Sequence, residues 1–204
     1  MRALMLFALL LSFLILQGCT NRGNSTTSCS DISELEKAAE QGDIHSQVTL
    51  AEMYSYGICV TQDLTQARKW FAKAAPEGGP LPKYALASMY HQGSGGSKDD
   101  KKAVKLLEEA GRQGLSDAYS ALSLMYYAGD GVDKNPSRSK KYSELAASTN
   151  DGVMKFYLAR MYETGNGTLQ NESLARKWYH ASCNKGFPPG CKKFAQLNNQ
   201  ISHR

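Results

Sequence analysis

One sequence pattern recurs four times along the chain at a constant spacing of 36 residues. In its most complete copy the pattern consists of Leu158, Ala159, Met161, Tyr162, Gly165, Gly167, Ala175, Trp178 and Tyr179. Successive shifts of 36 residues place Leu122, Leu86 and Leu50 at its first position, and no insertion or deletion interrupts the register. A period of this length is typical of a solenoid, in which each unit buries its apolar face only by stacking on its neighbours.

The apolar residues within one unit predict two helices. Leu158 and Tyr162 lie four residues apart, as do Leu174 and Trp178, so each pair shares one face of a helix. The segment 165–168 between the two pairs contains two glycines, whose backbone freedom suits a tight turn. We therefore expect each unit to be an antiparallel helix pair and the whole chain to be an all-α solenoid of helical hairpins.

A second set of small residues recurs where each second helix should end. This position holds Gly42, Gly78, Gly114, Asn150 and Gly186. Glycine and then asparagine most readily adopt the left-handed conformation that ends many helices, so a left-handed residue is expected at each position. Ser139 stands where the other units have alanine, and the third unit is expected to pack less tightly there.

The pattern Leu-Ala-x-Met-Tyr-x-x-Gly-x-Gly, followed by Ala-Arg-x-Trp-Tyr, is similar to the Sel1-like repeat, a relative of the tetratricopeptide repeat. The resemblance implies hairpins stacked into a right-handed superhelix that acts as a protein-interaction module. It divides the chain into a leading half-repeat at 31–43, full repeats at 44–79, 80–115, 116–151 and 152–187, and a C-terminal cap helix at 188–204.

The N-terminal segment is typical of a bacterial lipoprotein. A run of 14 residues, 3–16, which are apolar except for Ser12, follows Arg2 and is too short to span a bilayer, as in the core of a signal peptide. The sequence Leu-Gln-Gly-Cys that ends at Cys19 resembles the lipobox, which implies a signal peptide at 1–18 and a lipid on Cys19. The alternative is an ordinary cleaved signal in which Cys19 has no role.

The residues after Cys19 predict how the domain would be attached and where. Residues 19–30 are rich in Asn, Ser, Thr and Gly and should form a flexible tether. Thr20 follows the cysteine, whereas an aspartate there commonly retains Gram-negative lipoproteins in the inner membrane. We therefore expect an outer-membrane lipoprotein of the bacterial cell envelope, facing the periplasm or the exterior.

Charge argues against a nucleic-acid partner. The net charge of +5 is small, and the basic residues are scattered among acidic ones without a basic run. The expected partners are a protein or peptide and, through the lipid anchor, the membrane. The domain itself is expected to be a monomer.

Four cysteines besides Cys19 could form disulfides in an oxidising periplasm, and the residues alone allow three pairings. The spacing Cys-x7-Cys of Cys183 and Cys191 is similar to that in the cysteine-rich secreted Sel1 proteins of Helicobacter, and this resemblance implies a bond between them. Cys59 occupies a column that is glycine in the other repeats, and a bond to Cys29 would offset the cost of a side chain there. The alternative is that Cys29 and Cys59 are structural or partner-linking thiols.

No complete catalytic or metal-binding constellation is visible in the sequence. The four histidines never form a pair at metal-ligand spacing, so neither a metal nor another cofactor is expected. Ser137 and Lys140 match Ser-x-x-Lys, as do Ser182 and Lys185, and some cysteine-rich Sel1 proteins carry a β-lactamase label. The Ser-Asp-Asn and Lys-Thr-Gly elements of penicillin-binding enzymes do not occur here. A β-lactamase-like or cell-wall amide hydrolase therefore stands only as the alternative to a non-enzymatic binder.

The remaining candidate site is a surface. If the first helices line the concave side, as in tetratricopeptide relatives, their variable positions face a ligand. The predicted partner-binding residues are Glu52, Tyr84, Ser88, His91, Leu124, Tyr127, Phe156, Arg160 and Glu163. Rigid aromatic rings beside isolated charges suit an extended peptide or a protein edge. The alternative is that some of them, especially Leu124 and Phe156, belong to the core between repeats.

Overall fold

A computed structural model of the chain describes residues 32–148 and 151–202, and these ranges contain ten helices and no strand. The helices are α1 (Ile32–Glu40), α2 (Ile44–Tyr56), α3 (Leu64–Ala74), α4 (Pro80–Gln92), α5 (Asp100–Arg112), α6 (Ser116–Ala128), α7 (Pro136–Ala147), α8 (Gly152–Thr164), α9 (Glu172–Cys183) and α10 (Pro188–Ser202). The described residues from 34 onwards form a single compact unit. None of the described helices is both long enough and apolar enough to cross a membrane.

Two recurring caps set the limits of each hairpin. The first helices α2, α4, α6 and α8 end at left-handed glycines, namely Gly57, Gly93, Gly129 and Gly165. The second helices α3, α5, α7 and α9 each follow an N-cap residue whose side chain accepts a hydrogen bond from a backbone N–H of the first turn. These residues are Asp63, Asp99, Asn135 and Asn171. Both sets keep the 36-residue period, so every hairpin starts and stops at the same place in its repeat.

The expected left-handed residue at the end of the second helices is present at Gly42, Gly114 and Gly186. At the second junction the prediction is wrong by one residue, because the positive φ of +79° belongs to Gly79 and not to Gly78. Pro80 begins α4, and the ring of a proline disfavours the helical conformation for the residue before it, so the unusual conformation falls on Gly79. Asn150, expected at the third junction, lies outside the described residues.

Successive helices pack in chain order, which is the arrangement of a solenoid. Each first helix packs on the second helix of its own repeat, and that second helix packs on the first helix of the next. The buried leucines Leu50, Leu86, Leu122 and Leu158 follow one another down the stack. Ala67, Ala103 and Ala175 are completely buried in the second helices, where their small side chains allow neighbouring helices to approach closely.

The third repeat replaces part of this alanine contact by a cluster of buried hydroxyl groups. Ser139 donates to the backbone oxygen of Ser123 at 2.8 Å, and the Ser123 and Ser143 hydroxyls lie 2.6 Å apart. Each of the three side chains is at most 1% exposed. Hydrogen bonds therefore close the position where the sequence suggested looser packing, and no buried side-chain nitrogen or oxygen in the described part of the chain lacks a partner.

The turn glycines of later repeats touch the preceding repeat. A Cβ atom on Gly95 would lie 2.0 Å from the backbone oxygen of Leu64, and one on Gly167 would lie 2.3 Å from that of Pro136. In the first repeat the same column holds Cys59, with φ at +62°. Cys59 is disulfide-bonded. Its expected partner, Cys29, lies outside the described residues, so that pairing stays a prediction.

The C-terminal helix covers the last repeat and is joined to it covalently. A disulfide links Cys183 in α9 to Cys191 in α10, with a Cα–Cα distance of 4.4 Å, as the resemblance implied. Leu197 of α10 is buried in a cluster with Ala159 and Tyr179 of the fourth repeat. The helix thus buries an apolar surface that would otherwise face solvent at the end of the stack.

Candidate binding surface

The four first helices carry equivalent side chains on the face opposite to their buried leucines. A helix turns by about 100° per residue, so positions two residues after the buried leucine point away from the core. These positions form a central column, which consists of Glu52, Ser88, Leu124 and Arg160. Glu52 is exposed and the other three are partly exposed, so the structure places an accessible side chain at the equivalent position of each of the four repeats.

Two predicted residues beside the central column belong mainly to the interior. Tyr84 packs against the core of the second and third repeats. The ring of Phe156 lies 5.5 Å from that of Tyr179 and 5.3 Å from that of Phe187, so it fills space between the fourth repeat and the segment that follows. Both remain only partly accessible, which matches the alternative considered for Phe156. Leu124, for which the same alternative was considered, is partly exposed in the central column.

An aromatic pair joins the third and fourth repeats on this face. The rings of Tyr127 and Tyr157 meet edge to face with centroids 6.1 Å apart. Tyr157 was not among the residues predicted from the sequence. The other repeats have Thr49, Ala85 and Ala121 at its position, and this contrast in size within one column could have identified it.

His91 makes contacts between repeats instead of lying free on the surface. Its Nδ1 lies 2.6 Å from Oδ1 of Asp100, at the start of α5, and its Nε2 lies 3.4 Å from Oδ2 of Asp130, in the turn of the third repeat. Lys98 adds an ion pair to Asp100 at 3.4 Å. An imidazole held between two carboxylates has a structural function here that the sequence pattern did not reveal.

Glu163 connects the fourth repeat to the C-terminal helix. It accepts hydrogen bonds from the hydroxyl of Tyr179 and, at 2.8 Å, from Nζ of Lys193. Burial alone would raise the pKa of Glu163, but these two donors outweigh burial and hold its pKa below the ordinary value of 4.5. Because the carboxylate is already paired within the fold, it is less available to a partner than Arg160.

Replacing Glu163 by glutamine should destabilise the protein by about 1 kcal/mol at neutral pH, because a charged hydrogen bond and a partly exposed ion pair are lost. The folded-state pKa is lowered, so this contribution is complete above pH 4.5 and disappears as the pH falls through the folded-state pKa. Urea unfolding at pH 7 and at pH 3 measures both values. Glu40→Gln, at an exposed position of α1, serves as the control. A difference that persists unchanged at pH 3 would contradict the assignment.

A cleft that the sequence reasoning missed lies where the first helices of the first two repeats begin. Its volume is about 450 Å³, and it is lined by Ile44, His45, Val48, Glu77, Gly78, Leu81 and Pro82. Leu81 projects from it with 66% of its side chain exposed. A predominantly apolar lining with one acidic and one imidazole side chain is suited to holding an apolar group.

Two charges of the central column are available to a ligand. Partial desolvation raises the pKa of Glu52, although the nearby His45 opposes this shift, so the carboxylate would be stabilised by an incoming cation. At the other end of the column, the guanidinium of Arg160 is partly exposed, and its charge helps to lower the pKa of the nearby Glu163, whose carboxylate is bound to Tyr179 and Lys193. The column therefore has an acidic end in the first repeat and a basic end in the fourth.

The two Ser-x-x-Lys sequences do not present a nucleophile and a base. The hydroxyl of Ser182 is buried and donates to the backbone oxygen of Gly152 at 2.6 Å. Burial would lower the pKa of Lys140, but Glu144 and Tyr162 raise it above the usual range, which opposes a role as general base. In the part of the chain that the structure describes, no group of three or more His, Cys, Asp or Glu side chains could hold a metal ion.

Comparison with protein families gives one match, to the Sel1 repeat. It covers residues 35–43, 44–78, 83–115, 116–151 and 154–187, in the same register as the hairpins. No curated protein sequence matches the chain.

Solved structures with the same architecture come from several bacteria. The uropathogenic Escherichia coli protein c5321, described as a protective antigen with an SLR fold, is 29% identical with a TM-score of 0.78 over 86% of this chain. The chain spans only 38% of that protein. A Sel1 repeat protein of Oxalobacter formigenes is 28% identical with a TM-score of 0.73, covering 86% of this chain and 71% of that one. Helicobacter pylori cysteine-rich protein B shares the fold at 22% identity and a TM-score of 0.50, over 64% of this chain and 94% of that one.

Proposed function

The chain belongs to the Sel1 repeat family, and we propose that it binds an extended segment of another protein along the first-helix face while a lipid anchors it in the bacterial cell envelope. Sel1 repeat proteins commonly bind proteins and are in general non-catalytic scaffolds. The observation that carries the proposal is the central column, in which equivalent positions of four repeats offer accessible side chains of different chemistry. A repeated scaffold with variable side chains is suited to binding successive residues of an extended partner segment.

The charges of the column would orient the partner. A cationic group would lie near Glu52 and an anionic group near Arg160, with Leu124 and the edge-to-face pair of Tyr127 and Tyr157 between them. Charge complementarity favours one direction of binding, whereas burial of the aromatic and aliphatic groups supplies most of the affinity. No chemical step is required of the protein in this mechanism.

The location in the outer membrane rests on the N-terminal sequence. The signal peptide at 1–18, the lipidated Cys19 and the tether at 19–30 all lie outside the described residues. The disulfide between Cys183 and Cys191 supports an oxidising compartment such as the periplasm or the cell exterior. The description of the E. coli protein as a protective antigen supports an exterior-facing arrangement as the second form of this proposal.

Charge reversal at Arg160 should abolish partner capture without unfolding the protein. In a crosslinking pull-down from intact cells with the lipidated chain as bait, Arg160→Glu is expected to recover at least about tenfold less partner, because an attractive contact becomes repulsive. The midpoint of thermal unfolding should fall by only about 2–4 °C, because the new carboxylate lies three residues from Glu163 on the same helix and repels it.

Lys177→Glu is the matched control, since it reverses a charge at an exposed position on the second helix of the same repeat. Equal losses of partner for both variants would show that net charge, and not the first-helix face, governs capture. Undiminished capture by Arg160→Glu would overturn the proposed binding face.

A further inference from the structure

We infer that the cleft between α2 and α4 binds a phenylalanine-sized apolar side chain of the partner, with a lysine or arginine next to it in the partner sequence. The inference rests on the proposed function, because it assigns one anchoring position within the proposed binding face. The observation that supports it is a difference between equivalent positions of the first and fourth repeats.

The fourth repeat shows what fills this space when the chain itself supplies it. Phe156 and Phe187 lie in contact, with ring centroids 5.3 Å apart, between α8 and the segment that follows α9. Shifting both positions back by three periods, or 108 residues, gives Val48 and Gly79. Where two rings meet in the fourth repeat, the first repeat has an isopropyl group and a hydrogen atom.

The open cleft of about 450 Å³ lies at this junction, where it is lined by Val48 and by Gly78, the residue directly before Gly79. Tyr84 takes the same column in the second repeat, where its ring is packed against the core. Val48 is too small to reach equally far, so the space beside Ile44 and Pro82 stays open to solvent. Two phenylalanine rings fit the corresponding position of the same scaffold, which identifies a ring of that size as the complementary group.

The exposed leucine at the rim supports an external occupant. Leu81 is 66% exposed, whereas the equivalent positions of the first and third repeats hold the polar residues His45 and Asp117, and that of the fourth holds the smaller and less exposed Val153. A large aliphatic side chain beside an apolar cleft would lose its contact with water when a partner ring is bound. The cleft and Leu81 together form one apolar docking position.

The charges around the cleft specify the neighbouring residue of the partner. Glu77 lines the rim, and Glu52 follows Val48 by one turn on the same face of α2. At the junction that Phe156 and Phe187 close, the equivalent of Glu77 is the basic Lys185. Among the residues that line the cleft, His45 is the one cationic candidate, and the amine of the buried Lys83 nearby already donates to the backbone oxygens of Pro76 and Gly79. A lysine or arginine of the ligand would therefore complement the two carboxylates.

The test uses fluorescein-labelled peptides and the full chain, titrated by fluorescence anisotropy. The probe is Gly-Ser-Phe-Arg-Ser-Gly, and its comparison peptides replace Phe by Ala or Arg by Glu. We expect binding to weaken by at least about tenfold when Phe is removed and by at least about threefold when Arg becomes Glu. Glu77→Lys should abolish the preference for Arg over Glu.

A variant that fills the cleft from within provides the decisive comparison. Val48→Phe introduces the ring that the fourth repeat has at this position. We expect it to lower the affinity for the probe peptide by at least about tenfold while thermal stability is retained. Leu169→Phe, at a side chain 87% exposed in the turn of the fourth repeat, adds the same ring elsewhere and should leave binding unchanged. Leu81→Ser removes apolar surface at the rim without placing a new group in the cleft and should also lower the affinity for the probe peptide. It replaces Val48→Phe in the test if that variant does not fold.

Three outcomes would overturn the inference: no preference for Phe over Ala, equal binding to Val48→Phe and the unaltered chain, or self-association that Val48→Phe suppresses. The last would identify a second copy of the chain as the occupant. The proposed function is tested separately by the Arg160→Glu pull-down. If the peptide binds but Arg160→Glu still captures the partner, the cleft assignment stands and the proposed binding face is wrong. If the peptide does not bind but Arg160→Glu loses the partner, the binding face stands and the cleft assignment is wrong.

Discussion

Alanine at position 95 is expected to destabilise the solenoid by more than about 3 kcal/mol, which places it among the most damaging single substitutions in the chain. Gly95 has φ at +70°, and an added Cβ atom would lie 2.0 Å from the backbone oxygen of Leu64 in the preceding repeat. Backbone atoms at the start of α3 cannot move without disturbing the hairpin, so the contact between the first and second repeats must open. Urea unfolding followed by circular dichroism measures the loss.

Gly114 offers a matched control for this prediction. It also has a positive φ, at +96°, but nothing lies within 4 Å of an added Cβ atom. Gly114→Ala therefore suffers only the backbone cost of a left-handed L-residue, about 1 kcal/mol. The difference between the two variants isolates the contact between repeats. Equal losses at the two positions would show that the turn of the second repeat does not determine how closely the repeats stack.

Removing the disulfide by replacing both Cys183 and Cys191 with serine is expected to cost about 2.6 kcal/mol, the chain-entropy value for so short a loop. The bond joins α9 to α10, and α10 supplies Leu197 to the core of the last repeat. Loss of the bond should therefore act first on the C-terminal end of the stack. Hydrogen exchange should show faster exchange for the amides of α10 than in the unaltered chain.

The hairpin of α2 and α3 is the internal control, because Cys59 keeps its own disulfide in this variant. Its amides should retain their protection when α10 loses protection. An unchanged unfolding midpoint would contradict a stabilising function of the Cys183–Cys191 bond. Equal loss of protection in both regions would show that the repeats unfold as one unit instead of from the end.

The periodic features were accessible from the sequence because they depend on local chemistry. Leu50 and its counterparts mark the buried face of each first helix, and glycines such as Gly57 and Gly165 mark its end, at the same positions in each repeat. The N-caps at Asp63, Asp99, Asn135 and Asn171 were missed, although their 36-residue spacing was equally visible. The bond between Cys183 and Cys191 was implied by resemblance to a family, since cysteine spacing alone allowed three pairings.

For the proposed binding face the sequence predicted less, because the exposure of a side chain depends on which side chains meet across repeats. Periodicity places Tyr84, Phe156 and Arg160 on the same side of their first helices, yet the rings of Tyr84 and Phe156 pack against the core whereas Arg160 is not part of it. The sequence also could not show that Glu163 is held by Lys193, 30 residues further along the chain. Helical periodicity predicts which side of a helix a residue faces, whereas the burial of that residue depends on the size of the side chains in the neighbouring repeat.

The amino-acid sequence by itself determined the repeat length, the helical hairpins and their stacking order, because each unit has an apolar face that only a neighbouring unit can cover. Tertiary structure alone decided where the stack leaves space. Val48 and Gly78 are 30 residues apart in the chain and unremarkable individually, and folding places both on the cleft at the junction equivalent to the one where Phe156 and Phe187 meet in the fourth repeat.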